Sequence, residues 1–483
     1  MHGLHDPDLF RQDCLVDGVW GPAARGGRIA VDNPASGAVL GAVPDCDGED
    51  TRRAIVAAQA AFGPWSRRVA AERAALLERW HALIAENAED LARILTLEQG
   101  KPLAEARGEI GYGNAFIKWF AEEARRIEGS TIPAPLPDRR ILVLKQPVGV
   151  CAIVTPWNFP NAMIARKVAP ALAAGCTVVI KPSELTPFSA LALAVLAERA
   201  GIPPGVINIV TGRPEAIGAE LTGNEAVRKL SFTGSTRVGA LLMAQCAGSV
   251  KRLSLELGGN APLIVFDDAD LEAAVEGAMV SKFRNGGQTC VCANRILVQE
   301  GIYDAFAAAL SERVGRLRVG DGLAGAVDVG PMINSAALDK IDRHLRDALE
   351  KGARRLTPER AVPPGRFVAP VVLGDAGTDM ALAQEETFGP VAPLFRFSSE
   401  AEALAIANGT PFGLAAYFYT RDLARAFRIG EALEFGMVGL NTGLISTEVA
   451  PFGGIKQSGL GREGARAGID EYLELKSFHM AGL

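Results

Sequence analysis

The segment that decides the fold reads VGVCAIVT at positions 148–155, AMIARKVAPALAA at 162–174 and TVVI at 177–180. Short apolar runs bounded by turn residues indicate buried strands, and the longer run between them indicates a helix. The alternation continues, with strands predicted over Val206–Val210, Leu230–Phe232 and Leu253–Leu255, and helices over Ser189–Ala200, Ala216–Thr222 and Thr236–Cys246. Such alternation predicts a parallel sheet covered by helices on both faces.

A second alternating block follows and predicts a second α/β domain. Its strands are predicted over Ala261–Phe266, Arg295–Val298, Val391–Phe397 and Ala415–Tyr419, and its helices over Leu271–Phe283 and Tyr303–Leu317. The stretch 365–375 is punctuated by Gly and Pro and is expected to cross the surface. Upstream, Asp50–Pro102 is predicted to be mostly helical, with a break at Gly63-Pro64 and one apolar stripe from Leu76 to Leu95.

Composition excludes several classes of protein. The formal net charge of the 483 residues is −6 and no Lys/Arg block stands out, so neither nucleic acid nor an anionic membrane is an expected partner. No secretory leader and no membrane span is predicted. The seven cysteines include no C-x-x-C pair, which argues against a disulfide scaffold and for the cytoplasm. No cluster of residues has metal-ligand spacing, so no metal site is expected.

The most informative motif is FRNGGQTCVC at positions 283–292. Here Cys290 follows a turn-forming Asn-Gly-Gly at the end of a helical run. A cysteine on such a loop is a candidate nucleophile, because nearby backbone N–H groups lower the pKa of its thiol. The alternative is a buried structural cysteine.

A second motif, LSLELGGNA at 253–261, places Glu256 inside an apolar strand. A carboxylate there is costly unless it is paired or has a task, and burial would raise its pKa toward the range of a general base. The alternative is a solvent-facing Glu at the end of the strand.

Two further motifs follow predicted strands, at the edge where ligands of such sheets bind. In TPWNFP at 155–160, Asn158 is placed to donate to a developing oxyanion, although Pro and Asn are also common in plain turns. In FTGSTRVG at 232–239, a strand, a glycine turn and a helix start form a candidate anion site. This last signal is weak alone, since it matches neither GxGxxG nor a Walker A loop.

Together these four segments resemble the motif set of the aldehyde dehydrogenase superfamily, as do IKPSE at 180–184 and EETFGP at 385–390. The resemblance runs from LEQGKP at 97–102 to PFGGIK at 451–456. It implies an α/β fold with a Rossmann-type NAD(P)-binding domain (1–125 and 145–257), an α/β catalytic domain (258–455) and a small β oligomerisation element (126–144 and 456–483). It also implies a homodimer or homotetramer. The alternation in Tyr472–Lys476 predicts an edge strand that another subunit covers.

The resemblance assigns the chemistry as well. Cys290 would attack the aldehyde, and the Asn158 amide with the Cys290 N–H would hold the oxyanion. Glu256 would activate the water that hydrolyses the resulting thioester. Lys167 resembles a lysine that tunes the cysteine, with an exposed helix lysine as the alternative.

The cofactor implied is NAD, with NADP as the alternative. The resemblance places the dinucleotide against Thr155, Pro156, Trp157, Lys181, Ser183, Glu184, Gly234, Ser235, Glu386 and Phe388. Glu184 can accept from a free ribose 2′-hydroxyl but would repel a 2′-phosphate, which predicts a preference for NAD.

The motifs look closest to the succinate-semialdehyde dehydrogenases, notably in KFRNGGQTCVCANR at 282–295, GLNTGLIS at 439–446 and SGLGREG at 458–464. In that family the residues matching Arg166, Arg284 and Ser446 bind the distal carboxylate of the substrate, and a guanidinium fork suits this task. Pairing of these arginines with Asp or Glu is the alternative. Glutarate semialdehyde, one methylene longer, is an alternative substrate. A disulfide between Cys290 and Cys292 that switches activity off is a further expectation.

Rival classes fit less well. A cysteine hydrolase would need a histidine base, and none of the five histidines lies in a motif. A CoA-acylating dehydrogenase usually lacks the Glu found at position 256. A non-catalytic binding protein would be expected to lose Cys290 or Asn158.

Overall fold

The first sheet of the structure, a computed structural model that describes residues 2–483, confirms the alternation predicted from position 148 onward. Its five parallel strands lie in the order Ile207–Ile209, Thr177–Lys181, Val150–Val154, Val227–Thr233 and Arg252–Glu256. Antiparallel strands extend both edges, Cys14–Val16 with Val19–Gly21 on one side and Gly459–Leu460 on the other.

Helices cover both faces of this sheet, as predicted. Because successive side chains of a strand point to opposite faces, Val178 packs into one apolar cluster and Val179 into another. The first cluster is formed with the helices Ala70–Glu86, Ala88–Gln99, Leu103–Glu123, Ala162–Ala174 and Phe188–Arg199. The second is formed with Gly48–Ser66, Pro214–Gly223 and Thr236–Ala247.

The helical break expected at Gly63-Pro64 is wrong. The helix Gly48–Ser66 runs through both residues, and the breaks fall at 67–69 and at Asn87. Pro64 is tolerated because it lies in the last turn of a helix that ends two residues later. The apolar stripe from Leu76 to Leu95 is therefore shared between two helices.

The second sheet confirms the second α/β block. Its strands lie in the order Arg354–Arg355, Val371–Gly374, Val391–Phe397, Ala293–Gln299, Ala261–Val265, Ala415–Tyr419 and Met437–Leu440, and all pairs but the first are parallel. Its helices are Leu271–Phe283, Glu300–Gly315, Ser335–Glu350, Ala381–Gln384, Glu400–Asn408 and Leu423–Ala432. The surface path expected for 365–375 is wrong in its second half, since Val371–Gly374 is a buried strand.

A three-stranded antiparallel sheet stands apart from these two, with Arg139–Pro147 between Ser130–Ile132 and Leu473–Ala481. One edge strand, Leu473–Ala481, includes all of the predicted edge strand Tyr472–Lys476 except Tyr472. The remaining elements are short: the strand pairs Arg28–Asp32 with Val39–Pro44 and Phe412–Gly413 with Ile455–Lys456, the helix Ala465–Asp470, and the 3-10 turns Pro7–Leu9, Ala124–Arg126 and Arg284–Gly287. Within residues 2–483, no helix combines the length and apolar character needed to cross a membrane.

Candidate active site

Loops that follow strands of the first sheet and loops that precede strands of the second sheet meet around one cavity of about 350 Å³. Asn158 and Cys290 line it together, on loops from different sheets. Most of the predicted cofactor residues line the same cavity: Pro156, Trp157, Gly234, Ser235, Glu386 and Phe388. The structure therefore brings the catalytic candidates and the cofactor candidates to one place.

Cys290 reaches this cavity on a tight turn. Asn285, Gly286 and Gly287 all adopt positive φ, at 51°, 62° and 78°. A side chain at Gly287 would place a Cβ 2.3 Å from the Gly389 carbonyl oxygen, so the turn needs glycine there. The turn leaves Cys290 half-buried, with its Sγ donating to Oε1 of Glu256 at 3.2 Å.

The electrostatics of Cys290 differ from the expectation. Burial raises the pKa of the Cys290 thiol well above its usual value, and the Glu256 carboxylate raises it further, while Arg166 opposes the shift. The lowered pKa expected from nearby N–H groups is therefore wrong for this state. The thiol is protonated and has a carboxylate in contact that can accept its proton.

Glu256 ends the strand Arg252–Glu256 and is only 3% exposed, so the solvent-facing alternative is wrong. Its Oε2 accepts from the Thr233 hydroxyl at 2.9 Å and forms an ion pair with Arg166. Its Oε1 is left to Cys290. The carboxylate is thus paired by one cation and aimed at the thiol.

Arg166 and Lys167 are both buried in ion pairs, on the helix Ala162–Ala174. Arg166 binds Glu256 and Glu463, and Lys167 binds Glu463. Burial alone would raise the pKa of Glu463, but the two cations lower it. For Arg166 the structure thus shows the alternative of carboxylate pairing, and for Lys167 it excludes an exposed position. Sequence reasoning missed Glu463; its only signal was a charged residue inside the SGLGREG motif.

Asn158 is held through its side chain and through its main-chain carbonyl. Its Nδ2 donates to the Gln288 carbonyl oxygen at 3.1 Å, two positions before Cys290. Its main-chain oxygen accepts from Lys101 Nζ at 2.8 Å and from Asn285 Nδ2 at 3.0 Å. Lys101 and Asn285 were not among the predicted site residues.

The residues along the cavity fit a dinucleotide. Ser235 caps the helix Thr236–Ala247, beside Gly234, so free backbone N–H groups face the cleft. Trp157 and Phe388 meet edge to face, with ring centroids 5.6 Å apart, and form an aromatic wall. Glu386 accepts from the Gly259 N–H at 3.0 Å, and burial raises its pKa to about 7.

The remaining cofactor candidates lie beside this cleft. Lys181 ends a strand of the first sheet, and its Nζ donates to Glu184 at 2.7 Å. Ser183 accepts from the Leu185 N–H at 3.2 Å, and Thr155 is buried. Lys340, on the helix Ser335–Glu350, also lines the cavity and was missed because that helix was not predicted.

Arg284 and Ser446, together with Tyr417, line a second, narrow crevice, which has no room for a water molecule in this structure. Arg284 is half-buried, and its guanidinium lies 5.3 Å from the centroid of the Phe159 ring. Arg166 does not line this pocket. Among the ion pairs formed within residues 2–483, none involves Arg284, which leaves its charge available to an anion.

Cys292 is a free, buried thiol that donates to the Lys282 carbonyl oxygen at 3.6 Å. Burial raises its pKa. Over the described part of the chain, no group of His, Cys, Asp or Glu side chains is arranged to hold a metal ion.

Comparison with known proteins gives a consistent result. The sequence pattern of the aldehyde dehydrogenase family matches residues 20–478. The chain is 60% identical over 474 residues to a succinate-semialdehyde dehydrogenase of Escherichia coli (strain K12) named for NADP(+). It is 59% identical over 473 residues to a glutarate-semialdehyde dehydrogenase of Pseudomonas putida. In both comparisons the match covers 98% of this chain and 98% of the relative. A solved aldehyde dehydrogenase structure from Brucella melitensis biovar abortus 2308 matches with a TM-score of 0.99 at 59% identity, over 100% of both chains. The predicted fold class is confirmed.

Proposed function

The chain belongs to the aldehyde dehydrogenase family, and from that premise we propose that it oxidises succinate semialdehyde to succinate through a thioester on Cys290. It is an NAD(P)-dependent oxidoreductase. The observation that carries the proposal is the contact of Cys290 Sγ with Glu256 at 3.2 Å, inside a cavity that also holds Asn158 and Glu386.

In the first half of the reaction Cys290 adds to the aldehyde carbon as its proton passes to a base. Glu256 is in contact to accept that proton. The Asn158 amide and the Cys290 N–H would donate to the oxyanion of the thiohemiacetal. NAD(P), when bound, supplies the acceptor for the hydride that leaves the same carbon.

In the second half Glu256, once it has passed the Cys290 proton on to solvent, takes a proton from water. The resulting hydroxide attacks the thioester, which releases the acid and returns Cys290 as its thiolate. Arg166 and Thr233 fix one oxygen of Glu256 and leave the other facing Cys290. We assign Arg166 this positioning task, since its guanidinium is bound by two carboxylates. Lys167, bound to Glu463, would support the same network.

For the cofactor we propose a preference for NAD over NADP. Lys181 and Ser183 lie where the adenosine ribose is expected, but the Lys181 ammonium is already bound by Glu184. A 2′-phosphate would have to face that carboxylate, whereas a 2′-hydroxyl can donate to it. Ser235 would hold the pyrophosphate, and Glu386 the nicotinamide ribose, with Phe388 and Trp157 packed beside it.

For the substrate we propose that Arg284 and Ser446 bind the distal carboxylate. The half-buried, unpaired guanidinium supports this, because a carboxylate can complete its hydrogen bonds in a bidentate manner. The relatives named for succinate and glutarate semialdehyde both act on aldehydes with such a group. Glutarate semialdehyde stays the alternative substrate.

We further propose a cytoplasmic homodimer or homotetramer with an NAD(P)-binding domain (1–125 and 145–257), a catalytic domain (258–455) and an oligomerisation element (126–144 and 456–483). The three-stranded sheet supports the last part, since Leu144, Leu475 and Phe478 on it are 42%, 71% and 49% exposed. Another subunit would bury these side chains and cover the open edge. Within 456–483, the strand Leu473–Ala481 belongs to this sheet, whereas Gly459–Leu460 pairs with the first sheet.

Initial rates test the proposal. Succinate semialdehyde, glutarate semialdehyde and a neutral aldehyde of similar length are each assayed with NAD and with NADP. A strong preference for the carboxylated aldehydes is expected, and their ratio decides between the two semialdehydes. Equal rates on the neutral aldehyde would refute the substrate assignment and leave the dehydrogenase activity standing.

A further inference from the structure

The LEQGKP motif at 97–102 has no role in the function proposed so far, yet it delivers a lysine to the centre of the molecule. The helix Ala88–Gln99 ends at Gly100, whose φ is +94°. A Cβ at Gly100 would lie 2.7 Å from Pro331 and 2.9 Å from Pro34, so the chain turns there in space that admits only glycine. The turn directs Lys101 inward, where its side chain is 1% exposed. A buried ammonium is costly unless its donors are used.

Lys101 uses its donors on two partners. Nζ donates to Glu109 Oε2 at 2.5 Å and to the main-chain oxygen of Asn158 at 2.8 Å. It also lies 3.9 Å from the centroid of the Phe159 ring. The Asn158 oxygen accepts a second hydrogen bond from Asn285 Nδ2 at 3.0 Å. The peptide that carries the Asn158 side chain is therefore fixed by a charged donor and a neutral donor.

Carboxylates on the helix Leu103–Glu123 extend this network to both loops of the site. Glu109 Oε1 accepts from the N–H groups of Asn161 and Ala162 at 3.0 and 3.2 Å, where the helix Ala162–Ala174 begins. Glu105 Oε2 accepts from the Asn285 N–H at 2.7 Å, on the turn that leads to Cys290. The two glutamates are one helical turn apart, so they lie on the same face of the helix. That face binds both the Asn158 loop and the Cys290 loop and fixes the position of one relative to the other.

On the basis of the function proposed above, we propose that Lys101 is the positioning residue of the oxyanion site. Its ammonium donates a hydrogen bond to the main-chain carbonyl of Asn158 and thereby sets the direction of the Asn158 side-chain amide relative to Cys290. Lys101 itself touches neither substrate nor cofactor. Its loss should therefore weaken transition-state binding and leave ground-state binding nearly intact.

The first variant is Lys101→Met, which removes the charge and keeps the length. Misplacement of an oxyanion donor predicts a fall in kcat of about 10- to 100-fold, with KM for the aldehyde and the affinity for NAD changed by less than about threefold. Because Lys101→Met leaves Glu109 buried without its cation, the pair Lys101→Met/Glu109→Gln is made as well. Lys118→Met is the matched control, since Lys118 is 48% exposed on the helix Leu103–Glu123 and pairs with the partly exposed Glu122.

A double-mutant cycle with Asn158→Ala separates positioning from a general structural defect. If Lys101 acts through Asn158, adding Lys101→Met to Asn158→Ala lowers kcat by less than about twofold more. Multiplication of the two single effects would overturn the inference while leaving the proposed function intact. An unchanged kcat in Asn158→Ala alone would refute both, because the oxyanion role of Asn158 would then be wrong.

Discussion

Replacing Arg284 by Leu removes the charged side chain of the pocket that Arg284 shares with Ser446 and Tyr417. Leu also removes the cation–π contact of the guanidinium with Phe159, whose ring centroid lies 5.3 Å away. The change should therefore affect the distal carboxylate of the substrate and spare the chemistry at Cys290.

The size of the effect follows from the position of Arg284. Two unit charges about 4 Å apart attract by roughly 4 kcal/mol at an effective dielectric constant near 20. Arg284 is half-buried, so water screens part of this, and about 2–3 kcal/mol is a reasonable loss. Since about 1.4 kcal/mol corresponds to a factor of ten, kcat/KM for succinate semialdehyde should fall roughly 30- to 150-fold.

The assay compares kcat/KM for succinate semialdehyde and for a neutral aldehyde of similar length, in the wild type and in Arg284→Leu. The neutral substrate should change little. For succinate semialdehyde, the kcat/KM of Arg284→Lys should lie between those of the wild type and Arg284→Leu, because Lys keeps the charge and loses the bidentate fork. Arg213→Leu is the control, since Arg213 is 74% exposed and pairs with Asp45. An equal fall in kcat/KM for both aldehydes would show that Arg284 supports the fold of the site, and would refute its assignment to the distal carboxylate.

Three further perturbations test other parts of the account. Glu184→Ser should shift the NAD/NADP ratio of kcat/KM toward NADP, because it removes the carboxylate that faces a 2′-phosphate; an unchanged ratio would contradict the assignment. Glu98 is buried, and burial raises its pKa to about 8 from an ordinary 4.5; its stabilising contribution is thus complete below pH 4.5 and lost as the pH rises through 8. The fall in Tm of the wild type between pH 5 and 8 should accordingly be steeper than that of Glu98→Gln, and parallel curves would speak against it. Peroxide should inactivate the wild type in a manner reversed by dithiothreitol, whereas Cys292→Ala should not show reversible inactivation; equal behaviour of both proteins would exclude a Cys290–Cys292 disulfide.

Much of the fold was predictable because its signal is local. The helices Ala162–Ala174 and Leu271–Phe283 and the strands Val391–Phe397 and Ala415–Tyr419 have the predicted bounds. The errors arose where a local signal was overridden. Pro64 sits in a final helical turn, where it breaks nothing, and the Gly/Pro-rich stretch ends in the buried strand Val371–Gly374.

The site was predictable to the extent that motifs carry it. Cys290, Glu256 and Asn158 were found because each stands in a motif at the end of a predicted strand or on a glycine turn. Of the partners that set their state, Arg166 and Lys167 were singled out beside the Asn158 motif, Arg166 in a different role. Glu463 and Lys101 were missed, since they come from distant parts of the chain. Lys167 and Glu463 are 296 positions apart, and Lys101 and Asn158 are 57 apart. Only the tertiary structure shows that Arg166 is bound by carboxylates while Arg284 is free.

A single-turnover experiment with Glu256→Gln, succinate semialdehyde and NAD tests most directly whether Cys290 carries the thioester and Glu256 hydrolyses it. Because Gln cannot take the Cys290 proton, we expect NADH to form more slowly than in the wild type. Its formation should stop at one equivalent per active site, with the mass of one succinyl group on the peptide that contains Cys290. Gln cannot accept a proton from water, so the thioester should persist. Steady turnover at the wild-type rate, or a burst without an adduct on Cys290, would contradict the assignment of Cys290 and Glu256.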